Sequence, residues 1–370
     1  PSYEDSKAVN HGSVYQLAFD DNETELASEL ETKSSHAHFY FAAGPQAMFA
    51  PLLGVPYPYL TARRLKMLAD GGVSHLAHLG GSCPPEQVPF NVNHEITRAM
   101  QFQRDLDVDR AVQRIAERWA GPHLAEVLIA AWKKTEEAIL AFPNVVPLYS
   151  GFGFVWYRLW ARPLVPNIEA IGREERAYYE DFMCTMPHNP NNVDLSRDVL
   201  FRLAGAEQCA RDLARMDENL WGPVDEAIRI LEAARAEARE ALGADNVIED
   251  QFVRLKALRC WFVTQRSVAA WVAGVHGYLQ AQDSGERASC RRLLRDMMEE
   301  EIDNSRELSR LLDSGTEFMA MTDQGETPLI HGENLRELLV KRIALMRRHM
   351  DDEPYIDPDY IERIAGRMLE

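Results

Sequence analysis

IEDQFVRLKALRCWFVTQRSVAAWVAGVHGYLQAQ, residues Ile248 to Gln282, is the stretch whose reading decides the fold. Apolar residues recur along it at three- and four-residue spacing, the period of a helix with one face buried. The same spacing extends outward on both sides. It runs through Asp109–Ala120, Leu124–Phe142, Glu174–Met183, Asp198–Leu203 and Ala206–Leu242 before it, and through Ser284–Leu312 after it. From Asn93 onward the chain therefore predicts a bundle of long helices. EAARAEAREAL, residues Glu232 to Leu242, reads as a solvated helix face with i,i+4 charge pairs. No repeat of fixed period is visible, which argues against a solenoid.

The first hundred residues have a different texture. GSVYQLAF (Gly12–Phe19), HAHFYFAAG (His36–Gly44) and VSHLAHLGG (Val73–Gly81) are short apolar runs that read as strands. Between them lie an acidic stretch, Asp20–Leu30, spaced for a polar-faced helix, and LTARRLKMLADGG, a helical pattern stopped by Gly71 and Gly72. Strands alternating with helices imply parallel β/α units. Three strands are too few to close an eight-stranded barrel, and a small parallel sheet needs cover on both faces. A truncated or split barrel, a small open sheet packed on helices, and misread helical segments all remain open. The expected fold is mainly α with an N-terminal α/β portion: barrel-derived β/α units over 1–92, a helical domain over 93–312, and a C-terminal extension with a packed helix over 313–370.

Composition bounds the function. A chain of 370 residues that is 46% hydrophobic can bury a substantial core. Its 58 acidic and 40 basic residues leave a net charge of -18, which repels a phosphate backbone, so neither nucleic acid nor an anionic membrane is an expected partner. Five scattered cysteines form no CxxC pair and read as reduced thiols. No apolar run reaches the roughly 18 to 20 residues that span a bilayer, and no signal-peptide order opens the chain, so a cytoplasmic location is expected.

The segments PLLGVPYPYLTARRLKMLADGGVSHLAHLGG (Pro51–Gly81), PFNVNHEITRAMQFQRDLDVDRAVQRIAERWAG (Pro89–Gly121) and LIAAWKKTEEAI (Leu128–Ile139) carry a resemblance. Together they resemble the junction in large glycoside hydrolases of the alpha-glucuronidase-like type, where the last strands of a (β/α)₈ barrel run into a C-terminal helical domain. The later ELSRLL, GETPLIHGENL and DDEPYIDPDYI segments are similar to tails of such proteins. The similarity is one of texture and order over about residues 40 to 140. It implies a carbohydrate-active chain with an oligosaccharide or polysaccharide partner and no cofactor. It also implies that earlier barrel strands, and the second catalytic carboxylate with them, are absent here. A non-catalytic helical carbohydrate-binding or assembly module is the alternative, and a metal-dependent hydrolase a third.

Barrel logic places functional residues at the C-terminal ends of strands. Asp20 and Asp21 follow VYQLAF directly, and Glu95 follows the loop FNVNH; these three are the candidate catalytic carboxylates. Capping and first-turn acids of the following helices are the competing reading. Glu86, in a Pro-rich loop, reads as merely exposed. His36 and His38 share a strand face, as metal ligands would, but precede the apolar run, so no metal site is expected. His75 and His78 point to opposite faces, and His78 beside Gly80 and Gly81 is the better placed for a ligand. PYPYL and YSGFGFVWYRLWARP concentrate rings in Gly- and Pro-bearing loops, and a pyranose packs its C–H faces on such rings. Tyr57, Tyr59, Asn93, Tyr149, Trp156, Tyr157 and Arg158 are the candidate substrate contacts alongside His78. Phe154 and Trp160 fit an internal interface better, and Met186–Asp194 either lines a cleft or connects helices.

Overall fold

The computed structural model describes residues 17–19, 21–32, 38–41, 52–78, 88–142, 160, 162–172, 174–175, 206–319 and 334–356. Of these, 76% are helical, so the chain is mainly α. The helices are α1 (Asp21–Thr32), α2 (Pro58–Asp70), α3 (Val92–Phe102), α4 (Val108–Ala141), α5 (Ala206–Asn219), α6 (Trp221–Leu242), α7 (Val247–Gln280), α8 (Ser284–Leu311) and α9 (Leu335–Arg348). Two strands, β1 (His38–Phe41) and β2 (His75–His78), pair in parallel with His38 opposite His75 and Phe41 opposite His78, and α2 lies between them in sequence. Both fall inside stretches predicted to be strands. Of the third, Gly12–Phe19, only residues 17–19 are described, and they are not a strand. No barrel is seen among the described residues.

Helix starts follow local chemistry. Asn91, Asp107, Asn246, Asp283 and Asn334 each turn a side-chain oxygen onto a backbone N–H of the next helix's first turn, satisfying donors that the helix leaves open. Two boundaries differ from expectation. Asp109–Ala120 and Leu124–Phe142 join as α4 across a kink, where Gly121 adopts φ 74° and Pro122 follows. Conversely, Ala206–Leu242 breaks into α5 and α6 at Leu220. Pro223 is the reason: it has no N–H to donate back to Asn219, and its ring clashes with the preceding turn.

The chain forms two compact units, each assembled from separate stretches. The first draws on Pro1–Val145, Arg215–Arg259 and Ser314–Ala320. In it α4 packs on α6, and α2, α3 and α4 pack on one another, burying Ile96, Leu128, Trp132, Ile139, Val224 and Leu231. Arg254 ties the unit's irregular segments together. Its guanidinium makes a two-pronged pair with Asp250 and donates to the carbonyls of Leu53 and Glu317. Gly54 lies against this group at φ +72°, and a Cβ there would sit 2.7 Å from Val88 Cγ1 and 2.9 Å from Arg254 Nη1. Gly54→Ala is therefore expected to lose at least about 1 to 2 kcal/mol, the cost of a left-handed conformation for an L side chain before any clash is counted. Urea unfolding checks it, and an unchanged midpoint would refute the argument.

The second unit draws on Val146–Ala214, Cys260–Asp313 and Met321–Glu370. α8 packs on α9, and its core includes Phe262, Trp271, Leu294, Met298, Leu308, Leu339 and Met346. The segment 162–166 is buried within it. Arg342 Nε donates to the Arg162 carbonyl, Trp271 Nε1 to the Val165 carbonyl and the Tyr355 N–H to the Pro166 carbonyl, while the Arg162 guanidinium lies over the Trp271 ring. Trp160 is buried. The described cysteines Cys209, Cys260 and Cys290 are not joined in disulfides. Among the described residues, no helix is long and apolar enough to cross a membrane.

Candidate functional site

Glu95 stands in the first turn of α3, downstream of Asn91, whose side chain accepts the His94 N–H. The helix start favours a negative group at this position. Two arginines answer the carboxylate: Arg118 Nη2 donates to Oε2 at 2.9 Å, and Arg98 Nη1 lies 3.8 Å from Oε1. The carboxylate keeps 25% exposure and Arg118 keeps 55%, so the pair opens on solvent. The Arg118 guanidinium also lies over the neighbouring Trp119 ring, 5.6 Å from its centre. Trp119 in turn makes edge-on contacts with Phe90 at 5.6 Å and with Trp132 at 6.3 Å. Trp132 is fully buried and donates its indole N–H to Gln251, which fixes the base of the aromatic row. A partly buried ring, a carboxylate and a guanidinium thus meet where α3 and α4 pack. The ring and the carboxylate of such a set can stack a sugar's C–H face and hydrogen-bond its hydroxyls.

Three more of the residues expected from sequence lie at the start of α2 and in α3. Asn93 accepts the Tyr57 N–H and donates to the Val55 carbonyl, and both Asn93 and Tyr57 are buried. They hold the chain entering α2. Tyr59 is half-buried with Lys133 over its ring, and its own N–H donates to Glu136 at 2.7 Å. Burial, helped by Asp109 and Glu136, pushes the Tyr59 hydroxyl up to about 12. Glu136 is itself buried, and desolvation lifts its carboxyl to about 7 against the opposing pull of the Tyr59 and Leu60 N–H groups. It is a remote cap on the first turn of α2.

Asp21 and His78 are the other expected site residues on described elements. Asp21 is exposed in the first turn of α1. His78 ends β2. Asp20, His36, Glu86, Tyr149, Phe154, Trp156, Tyr157, Arg158 and the loop Met186–Asp194 lie outside the described residues. Among the described residues no group of three or more His, Cys, Asp or Glu side chains is placed to hold a metal.

Sequence reading did not single out Phe90, Arg118, Trp119 or Glu136. For Glu136 a signal existed: it lies on the helical stripe Trp132, Glu136, Ile139, where a charge interrupts apolar residues. For Arg118 and Trp119 none did, because their value comes from Glu95, 23 residues earlier. No protein-family model, no curated protein and no solved structure matches the chain.

Proposed function

We propose that this is a carbohydrate-active protein of glycoside-hydrolase type that binds an oligosaccharide at the Glu95, Arg118, Trp119 cluster and does not by itself cleave it. The observation that carries the reading is the partnership of Glu95. Glycoside hydrolysis needs two carboxylates facing each other across the bond, about 5 to 5.5 Å apart for retention or about 6.5 to 9.5 Å for inversion. The charged groups bonded to Glu95 are both arginines. Paired in this way it is a charge-balanced hydrogen-bonding group beside a ring, which suits recognition. The expected β/α portion belongs to the same proposal, supported by the parallel pairing of β1 and β2 with α2 between them in sequence. A purely non-catalytic binding module is the nearest alternative, and it predicts the same contacts.

Trp119→Ala should weaken binding of cello-, xylo- or chito-oligosaccharides by roughly 1 kcal/mol or more, the scale of an aromatic contact. Parent and Glu95→Gln protein should alike show no turnover of aryl glycosides. Calorimetry and a chromogenic assay read the two. Binding indifferent to Trp119, or turnover abolished by Glu95→Gln, would sink the proposal.

A further inference from the structure

We infer that Arg118 is a latch on the site, a residue that must leave Trp119 before a ligand can stack there. The inference rests on the carbohydrate-binding reading above. One guanidinium occupies both recognition elements at once: it donates to Glu95 at 2.9 Å and covers the Trp119 ring at 5.6 Å. The Arg118 side chain is 55% exposed, whereas Trp119 beside it is only partly exposed. The buried Trp132 contacts the same indole edge-on. A pyranose approaching from solvent therefore meets Arg118 before it meets the ring. Displacement is cheap, since an exposed cation–π contact and a surface ion pair are each weak. It also frees the Glu95 oxygen that Arg118 holds, so one movement offers both a stacking surface and an acceptor. Arg98 differs in the decisive respect: it is a looser partner of Glu95, at 3.8 Å, and it meets the carboxylate and not the ring.

The comparison of the two arginines makes the test. Titrating cello-, xylo- and chito-oligosaccharides into parent, Arg118→Ala and Arg98→Ala protein should show Arg118→Ala binding roughly three- to tenfold tighter, the scale set by losing those two weak contacts. Arg98→Ala should stay within about twofold of the parent, because an exposed pair of this length is worth little. A ligand-free readout accompanies it. In 5-fluorotryptophan protein, the Trp119 resonance, assigned by its absence from Trp119→Phe, should become more accessible to a soluble paramagnetic quencher in Arg118→Ala and not in Arg98→Ala. If oligosaccharide binds the parent but Arg118→Ala binds equally or more weakly, Arg118 contacts the ligand directly and the latch is wrong while the binding reading stands. Equal tightening by both variants would show simple charge release, and would also overturn the latch. Absence of binding by parent and Arg118→Ala alike would overturn the latch and the reading together.

Discussion

Arg342→Met is expected to cost about 3 to 5 kcal/mol of stability, the penalty for removing one partner of a buried ion pair. Arg342 and Glu301 are 1% and 0% exposed and meet at 2.5 Å between α9 and α8. Around them, Thr264 and Asn304 donate to the same Glu301 oxygen, and Arg342 donates to Ser305 and to the Arg162 carbonyl. The variant leaves a buried carboxylate with only neutral donors and strips the Arg342 donor from the Arg162 carbonyl. The network is also unevenly satisfied: Glu301 Oε2 and Arg342 Nη2 are buried without hydrogen-bond partners. Half-satisfied charge networks are poorer than well-packed apolar groups. The double variant Glu301→Leu with Arg342→Met should therefore recover most of the loss. Urea unfolding of the parent, the two single variants and the double variant decides the matter. A single variant within about 1 kcal/mol of the parent, or a double variant no better than the worse single, would refute it.

Stability should fall as pH rises from about 4.5 to about 7, and Glu136 is the residue expected to carry much of that slope. Its carboxyl is lifted from the ordinary 4.5 to about 7, so over this interval the folded chain binds a proton that the unfolded chain has released. The favourable contribution is complete below the unfolded value and is lost as pH climbs through the folded one. A shift of this size corresponds to about 3 kcal/mol at pH 8 relative to pH 4. Glu136→Gln keeps an acceptor for the Tyr59 and Leu60 N–H groups and has nothing to ionise. It should flatten that part of the profile and be the more stable protein at pH 8. The opposing term is the loss of a charge at a helix N-terminus, about 0.3 to 2 kcal/mol, smaller than the desolvation it replaces. A Glu136→Gln profile parallel to the parent's would show that another group carries the slope.

Both residues were visible in the sequence as interruptions. Glu301 lies on the stripe Leu294, Met298, Glu301, Ser305, Leu308, and Arg342 on Leu335, Leu338, Arg342, Leu345. In a helix these spacings share one face, so a charge there is either buried or at an edge. Periodicity alone does not decide which, since a long side chain near an apolar stripe can extend its charge into water. The partner decides it: Glu301 is tolerable inside because Arg342 arrives from a helix 41 residues away in sequence. The candidate site divides in the same manner. Glu95 was legible as an acid at a helix start, and the burial of Tyr57 and Asn93 was not, because a Pro-bearing aromatic loop reads alike whether its rings face solvent or core. The aromatic loop around Trp156 lies outside the described residues, so its part in the site is still an expectation.

What the sequence determined by itself is what local chemistry sets. That includes the helical body, written in three- and four-residue spacing, and its starts, written in Asn and Asp caps. Local chemistry also sets the kink at Gly121 and Pro122 and the stop at Pro223 between α5 and α6, although apolar spacing alone predicts two helices in the first case and one in the second. These depend on backbone sterics and hydrogen bonds within a few residues, so no distant partner is needed to read them. Tertiary structure alone decided which charges are interior and which side chains form a site. Whether a carboxylate is solvated, paired or lifted toward neutrality depends on the dielectric and the donors that other helices bring to it. Glu95 meets Arg118, Glu136 meets the first turn of α2, and Glu301 meets Arg342 only once those helices have packed.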